Sequence, residues 1–365
     1  MQNRKIINIS PKDDYRIIAI SDIHGHGDQL RKLIEKVNLK DEDYLVIVGD
    51  FINKGLNSLD SLSYVRELGK RENTIVLKGN HEYFIHYHME TFNRFKQLYE
   101  IITRDGYETL VHALCDEHCL KLDKDLKKIY KYLVSEHKDE FNYIKKLPII
   151  ANIGEFRFVH GGYQEYFDVE ENEVNYLKYD DFNKNSKTND RVTIVGHWPL
   201  CNLRYDRIDN RPYFNEEKNI IFIDGALGVK KTGELNGFLI NHIKGKTVYD
   251  NIQVNNFRKS KIVRSHKFSN SEKIYVNYPY YDIEVIKPGI NMTLCKHSHS
   301  GIEFNVFNSL LDYSGDKPRL ITNFVNNFLN LEVGIEVDVC DIFDDCVLVK
   351  YLDEFGWICR NQIDE

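Results

Sequence analysis

The sequence predicts an α/β fold with a small all-β region at its C-terminal end. Apolar runs of strand length alternate with amphipathic helical runs through most of the chain, and short alternating strands replace them beyond residue 255. In order, "RIIAIS" reads as a strand, "DQLRKLIEKVNL" as a helix, "DYLVIVGD" as a strand, "SLSYVRELGKR" as a helix and "TIVLKGN" as a strand, a βαβαβ pattern. Ile and Val fill both faces of these strands, so each sheet face must be covered. From Glu82 to Lys146, Leu, Tyr, Lys and Glu recur at helical spacing with hardly a turn signal besides Asp105-Gly106, which predicts a helical insertion over residues 83–147. Strands resume with "LPIIANIGEFRFVHGG", a hairpin turning at Asn152 to Gly154, then "VTIVGHWPL", "NIIFIDGAL", "LNGFLINHI" and "KTVYD".

Composition narrows the function classes. A chain of 365 residues with 42% hydrophobic content can bury a sizeable core. Its net charge of −7 argues against general binding to nucleic acid or anionic membranes, so neither is expected as a partner. The opening "MQNRKIINISPKDDYR" lacks a secretory apolar core, and no run approaches a membrane span; a cytoplasmic protein is expected. The 7 cysteines are scattered and odd in number, as suits buried thiols in a reducing compartment. "HALCDEHC" packs His112, Cys115, His118 and Cys119 into about two helical turns. A structural zinc site usually draws on separated pairs, so this run is expected to be helix surface and core.

The apolar strands share a further habit: each ends in residues able to bind a metal. Asp22 and His24, Asp50, Asn80 and His81, His160, and His197 all follow such runs. Glycines accompany them at Gly25, Gly49, Gly55, Gly79, Gly161, Gly162 and Gly196, permitting tight turns and close backbone approach. Neighbouring parallel strands bring their carboxyl ends together, so these residues would converge on one crevice. A single buried histidine is usually a satisfied core residue; recurrence at successive strand ends points instead to a metal centre.

Taken together, "SDIHGH", "GDFINKG", "GNHE", "VHGG" and "VGHWP" resemble the calcineurin-like metallophosphoesterases. The closest pattern is the phosphoprotein phosphatase branch, with its bacterial Ser/Thr phosphatases and symmetrical dinucleoside-tetraphosphate hydrolases. The resemblance covers roughly residues 16–250, and "IDGALGVKKTGELNGFLI" carries it past the last ligand. It implies a β-sandwich flanked by helices, with residues 1–255 as the catalytic domain. It also implies that Asp22 and His24 bind one metal, that Asn80 and His160 bind the other, that Asp50 bridges both, and that His197 completes the set. Mixed carboxylate, amide and imidazole ligation suits transition metals better than calcium or magnesium. Two divalent ions are therefore expected, manganese foremost, with iron, zinc, cobalt or nickel as alternatives. Such ions, roughly 3.5–4 Å apart, would acidify a bridging water for in-line attack on phosphorus. His81 resembles the family's general acid, its plainer alternative being a supporting hydrogen bond.

Two departures fall within "GDFINKG", where Ser/Thr phosphatases carry Asp-Arg at the positions of Asn53 and Lys54. Asn53 is expected to accept one hydrogen bond from His81 through its amide oxygen and to stabilise the imidazolium less than a carboxylate would. Lys54 keeps a positive charge for the phosphate but loses the two-pronged geometry of arginine. In "CNLRYDRIDNRPYF", Arg204 or Arg207 could supply a second phosphate contact, against the ordinary reading of both as surface arginines.

The C-terminal pattern predicts a small β domain over 256–315, degenerate SH3-like in one reading, and an SH3-like barrel over 316–365; their likeness fits either a duplication or shared hairpin alternation. The aromatic groove for proline-rich peptides looks eroded, since "CVLV" stands where a tryptophan pair is usual. A protein partner, a dimer contact or docking on the catalytic domain are the roles left to it. The expected function is a dinuclear-metal phosphomonoesterase acting on phosphoserine and phosphothreonine in proteins or on a small phosphate ester. Symmetrical dinucleoside tetraphosphate hydrolysis is the runner-up, and an inactive binding module comes third.

Overall fold

The structure is a computed structural model that describes residues 5–55, 57–122, 125–166, 168–268 and 274–364. Two compact units divide the chain: Met1–Pro199 with Arg211–Asn255, and Leu200–Asn210 with Asn256–Glu365. The second unit thus takes a segment from within the first one's sequence.

The first unit begins with strands β1 (Ile6–Ile9) and β2 (Tyr15–Ile20), helix α1 (Gly27–Lys36), strand β3 (Tyr44–Ile47), helix α2 (Ser58–Leu68) and strand β4 (Thr74–Val76). A helical run follows: α3 (Asn80–Met89), α4 (Phe92–Asp105), α5 (Leu110–Glu117), α6 (Leu126–Glu136) and α7 (Lys138–Lys146). It starts at Asn80, earlier than the expected 83, because the candidate ligands form the first turn of α3. The unit continues with β5 (Ile150–Ile153), β6 (Phe156–Val159), the short helices α8 (Glu173–Leu177) and α9 (Phe182–Asn185), then β7 (Val192–Val195), β8 (Tyr213–Asn215), β9 (Ile220–Phe222), β10 (Leu235–Ile243) and β11 (Lys246–Val254).

These strands form two facing sheets, one in the order β1-β5-β6-β7-β9-β8 and the other β11-β10-β2-β3-β4. Alternation along each strand sorts the side chains. Ile17, Ala19, Val46, Val48 and Phe238 point between the sheets against Ala151, Phe156, Phe158, Ile194 and Ile221. Ile18, Ile20, Leu45 and Ile47 turn the other way, onto Leu30, Leu33, Leu62, Val65 and Ile85 of the helices. Apolar residues on both faces thus have two different partners, a sheet and a helical layer. Truncating any of the leucines or isoleucines among these to alanine would cost about 2–5 kcal/mol. β2, β3 and β4 run parallel, as do β6, β7 and β9, so each sheet aims several carboxyl ends at one edge. The β5–β6 hairpin turns at Gly154-Glu155, with Gly154 at φ 57°.

In the second unit the strands are β12 (Arg258–Lys261), β13 (Tyr275–Val276), β14 (Ile283–Lys287), β15 (Met292–His297), β16 (Glu303–Phe307), β17 (Leu311–Asp312), β18 (Arg319–Leu320), β19 (Phe324–Val325), β20 (Glu336–Ile342), β21 (Cys346–Tyr351) and β22 (Glu354–Cys359). They make small antiparallel sheets, chiefly β12-β20-β21-β22 and β14-β15-β16, and none closes into a barrel among the described residues. Both three-strand runs follow one plan. A first strand with a register shift, at Val285/Lys287 or Val339/Asp341, leads into a hairpin and then a 3-10 turn at Asn308–Leu310 or Arg360–Gln362. A single apolar cluster nevertheless joins Phe304 and Phe307 to Phe324, Leu348 and Trp357, so the core runs across position 315. Trp357 is fully buried in it. The segment 200–210 is held within this unit: Tyr275 O–H donates to Cys201 O at 2.7 Å and Asn277 Nδ2 to Arg204 O at 2.9 Å. All 7 cysteines are free thiols, and no helix among the described residues is long and apolar enough to cross a membrane.

Candidate metal centre

The expected ligands lie where the strands end. Asp22 and His24 follow β2, Asp50 follows β3, Asn80 and His81 open α3 after β4, His160 follows β6 and His197 follows β7. The backbone there turns left-handed, with φ of 56° at Asp22, 47° at His24, 54° at Asp50, 66° at Asn53, 69° at Lys54 and 67° at His197. Non-glycine residues rarely adopt this region, at about 1–3 kcal/mol each, and do so where a side chain must be aimed. Glycines make room: a Cβ on Gly79 would lie 2.1 Å from Asp50 Oδ1, and one on Gly196 would lie 1.9 Å from Ser21 Oγ.

Asp50 is the hub. Its Oδ2 lies 3.2 Å from His160 Nε2 and 4.0 Å from His81 Nε2, while its Oδ1 accepts the His81 backbone N–H at 2.8 Å. Asn80 Oδ1 approaches the same His160 nitrogen at 3.0 Å, and Asp22 Oδ1 lies 3.7 Å from His24 Nε2. Two triads of donor atoms result, His24-Asp50-His81 and Asp50-His160-His197, each within a 4.8 Å span and both including Asp50. His81 therefore stands within ligand reach as well as beside the centre.

Hydrogen bonds fix which ring nitrogens face inward. His160 Nδ1 donates to Val48 O at 2.8 Å, which turns the Nε2 lone pair into the site. His197 Nε2 meets Asp180 Oδ1 at 2.7 Å, leaving Nδ1 for a ligand. Asp22 accepts the Ser21 hydroxyl and the His197 backbone N–H, the latter at 3.0 Å. His24 Nδ1 is buried without a hydrogen-bond partner. An orphaned imidazole nitrogen, a carboxylate shared by two triads and lone pairs aimed at common points fit a pair of divalent ions.

Opposed pKa shifts mark the same cluster. Burial raises Asp22 to about 6, with Asp50 adding to the shift and His160 opposing it. Burial would raise Asp50 too, but His160 and His81 hold it well below the usual carboxylate range. His160 stands at about 10, burial working against its charge and being outweighed by Asp50 and Asp22. Burial, with His81 adding, keeps His24 well below an ordinary histidine. Burial also lowers His81 to about 4, Lys54 and His160 reinforcing it against Asp50. Neighbours pushed in opposite directions are typical of functional sites.

The structure corrects the expected role of Asn53. Its Oδ1 accepts the Leu110 backbone N–H at 2.9 Å, so its Nδ2 is what faces His81 Nδ1, at 3.1 Å. The amide donates to the imidazole and does not accept from it. Lys54 N donates to Glu108 O at 2.7 Å, tying the same turn to the residues before α5. Arg204 lies in the 200–210 segment of the second unit, its guanidinium 3.8 Å from Asp209 and the Arg207 guanidinium 3.4 Å from the same carboxylate.

Three further carboxylates escaped the sequence reading. Glu82 is fully buried and accepts the backbone N–H groups of Asp50 and Gly79, each at 2.8 Å, and of Phe51 at 2.9 Å; burial pushes it up to about 7. It is the last letter of "GNHE", three residues after the N-cap Gly79, where a capping carboxylate belongs. Asp224 ends β9 in "IIFID", the same signal as "VIVGD", and burial with Asp22 nearby raises it well above its ordinary value. Asp180 carries no local signal at all.

The chain is similar to proteins of two kinds. A symmetrical bis(5'-nucleosyl)-tetraphosphatase of Hamiltonella defensa is 36% identical over 114 residues, covering 30% of this chain and 41% of its own. The same-named protein of Vibrio parahaemolyticus is 26% identical over 153 residues, 41% of this chain and 46% of its own. The chain thus spans less than half the length of these curated relatives. A solved protein serine/threonine phosphatase of Saccharomyces cerevisiae aligns at 13% identity over 70% of this chain and 86% of its own, with a TM-score of 0.42. The family model for calcineurin-like phosphoesterases matches residues 15–220, more than half of the sequence. That match, which takes in every candidate ligand from Asp22 to His197, shows that the chain belongs to the calcineurin-like phosphoesterases.

Proposed function

We propose that the chain is a metal-dependent hydrolase of phosphoric anhydrides, with symmetrical dinucleoside tetraphosphates as its substrate class. The reaction class is supported by the sharing of Asp50 between two donor triads. Asp22, His24 and Asp50 would hold one ion, and Asp50, Asn80, His160 and His197 the other. Such ions supply charge neutralisation for the phosphate and activation of water. Lys54 adds a point charge, and Val48 O and Asp180 hold the two inward histidines in their tautomers.

The substrate reading is carried by the Asn53 amide. A backbone N–H can meet only its oxygen, so the amide N–H₂ points at His81 Nδ1 and makes that nitrogen the acceptor. Neutral His81 then keeps its proton on Nε2, and an imidazolium would set N–H against N–H. A serine or threonine leaves as a strongly basic alkoxide and needs an acid to protonate it. A nucleoside diphosphate leaves as a stable anion and needs none. The relatives named as tetraphosphatases support the same choice. We also read the repeated strand plan of the second unit as two SH3-like copies.

The test is side-by-side turnover of a dinucleoside tetraphosphate and a phosphothreonine peptide with manganese present. The tetraphosphate is expected to show the higher kcat/KM, by a factor of ten or more. Equal or faster turnover of the peptide would return the assignment to protein phosphatase.

A further inference from the structure

We propose that the helical run carries a second divalent-cation site of the zinc class, formed by His118 and His137 with Glu117. The two histidines come from different places. His118 closes α5, and His137 is the corner residue between α6 and α7. Their Nε2 atoms lie 3.0 Å apart, and Glu117 Oε2 lies 3.6 Å from the His118 nitrogen. All three donor atoms fall within 4.8 Å of one another. Two nitrogens each about 2.0–2.1 Å from one zinc, at tetrahedral to right angles, stand about 2.9–3.4 Å apart. The observed spacing falls within that window.

The surroundings add a second mark. Glu140 Oε2 lies 3.7 Å from His137 Nδ1, and its other oxygen accepts from Arg66 Nη1 at 3.0 Å. That carboxylate is beyond hydrogen-bond distance, but its charge favours the proton on Nδ1 and with it a free Nε2 facing His118. At this distance the two Nε2 atoms can share one N–H···N hydrogen bond or turn both lone pairs to one cation. His137 is buried while Glu117 and His118 are exposed, so the site opens to solvent on one side and a water can complete the coordination.

This is not the "HALCDEHC" tetrad of the sequence. His112 Nδ1 accepts the Thr109 N–H at 3.1 Å and caps α5, and Cys115 is buried away from the cluster. His118 finds its partner 19 positions downstream. A metal there would staple the C-terminal end of α5 to the α6–α7 corner. The other end of α5 supplies the Leu110 N–H that orients Asn53.

The test separates a metal site from a plain imidazole pair. His118→Gln can still donate one hydrogen bond to His137 but cannot replace imidazole as a zinc ligand, and Glu117→Gln is a surface change that leaves folding intact. After equilibration with zinc and gel filtration, each variant is expected to hold about one zinc fewer per chain than wild type. Each should also lose the zinc-dependent part of the rise in Tm while retaining manganese-dependent turnover. Zinc content and Tm response equal to wild type in both variants would overturn the proposal and leave a hydrogen-bonded pair.

Discussion

At the scale of single residues, the direction of one amide decides much of the chemistry. Asn53→Asp replaces a group that donates to His81 with one that accepts from both Leu110 N–H and an imidazolium Nδ1–H. An opposite charge at this distance raises a histidine pKa by roughly 1–3 units. The sign follows from the starting point: His81 stands near 4, so its acid form exists only below that, and the variant extends it toward neutral pH. Turnover of a phosphothreonine peptide should rise, with the limb that falls as the acid deprotonates moving to higher pH. A pH–rate profile reads this directly, and an unmoved limb would show that Asn53 does not govern His81. Convergence was legible where a candidate ligand is tied to a strand end and a glycine, as at Asp50 and His160. It failed where orientation depends on a remote backbone group, since Leu110 is 57 positions from Asn53. Asp180 stayed hidden because a loop contact with His197 leaves no periodic trace.

At the scale of elements, the junction between β4 and α3 holds the site together. Glu82, in the first turn of α3, accepts four N–H groups from the Asp50 and Gly79 turns, and Gly79 touches Asp50 so closely that no Cβ fits. Gly79→Ala must push Asp50 or the helix start aside. Loss of most metal retention is expected, with a destabilisation of about 1–3 kcal/mol from overpacking. Metal content and denaturant unfolding check the two effects separately; a variant with wild-type values in both would refute the close packing. The βαβαβ order and the helical run were legible because buried strands and amphipathic helices differ in period. The sandwich came from the family resemblance alone, because alternation shows that both faces are covered without saying what covers them. Ile17 and Ile18 look alike in sequence, yet one meets a sheet and the other a helical layer.

At the scale of the whole molecule, the chain does not divide at one point. A protein ending at residue 255 would retain Leu200, Cys201, Leu203 and Ile208, all buried, without the strands of their unit. Each such side chain stranded in water forfeits about 1.5–3 kcal/mol. Such a truncation is expected to aggregate or to melt well below the full chain, as light scattering and calorimetry would report. A monomer with the full-length Tm would show that 200–210 needs no partner. The same threading sets an order in time. Domains made on the ribosome tend to fold from the N-terminus as they emerge. Here the stretch directly after His197 must wait, its apolar side chains uncovered, until Tyr275 and Asn277, some seventy residues downstream, have been synthesised. The nascent chain is therefore most exposed to chaperones and proteases during that interval, immediately beside a candidate ligand of the proposed metal centre.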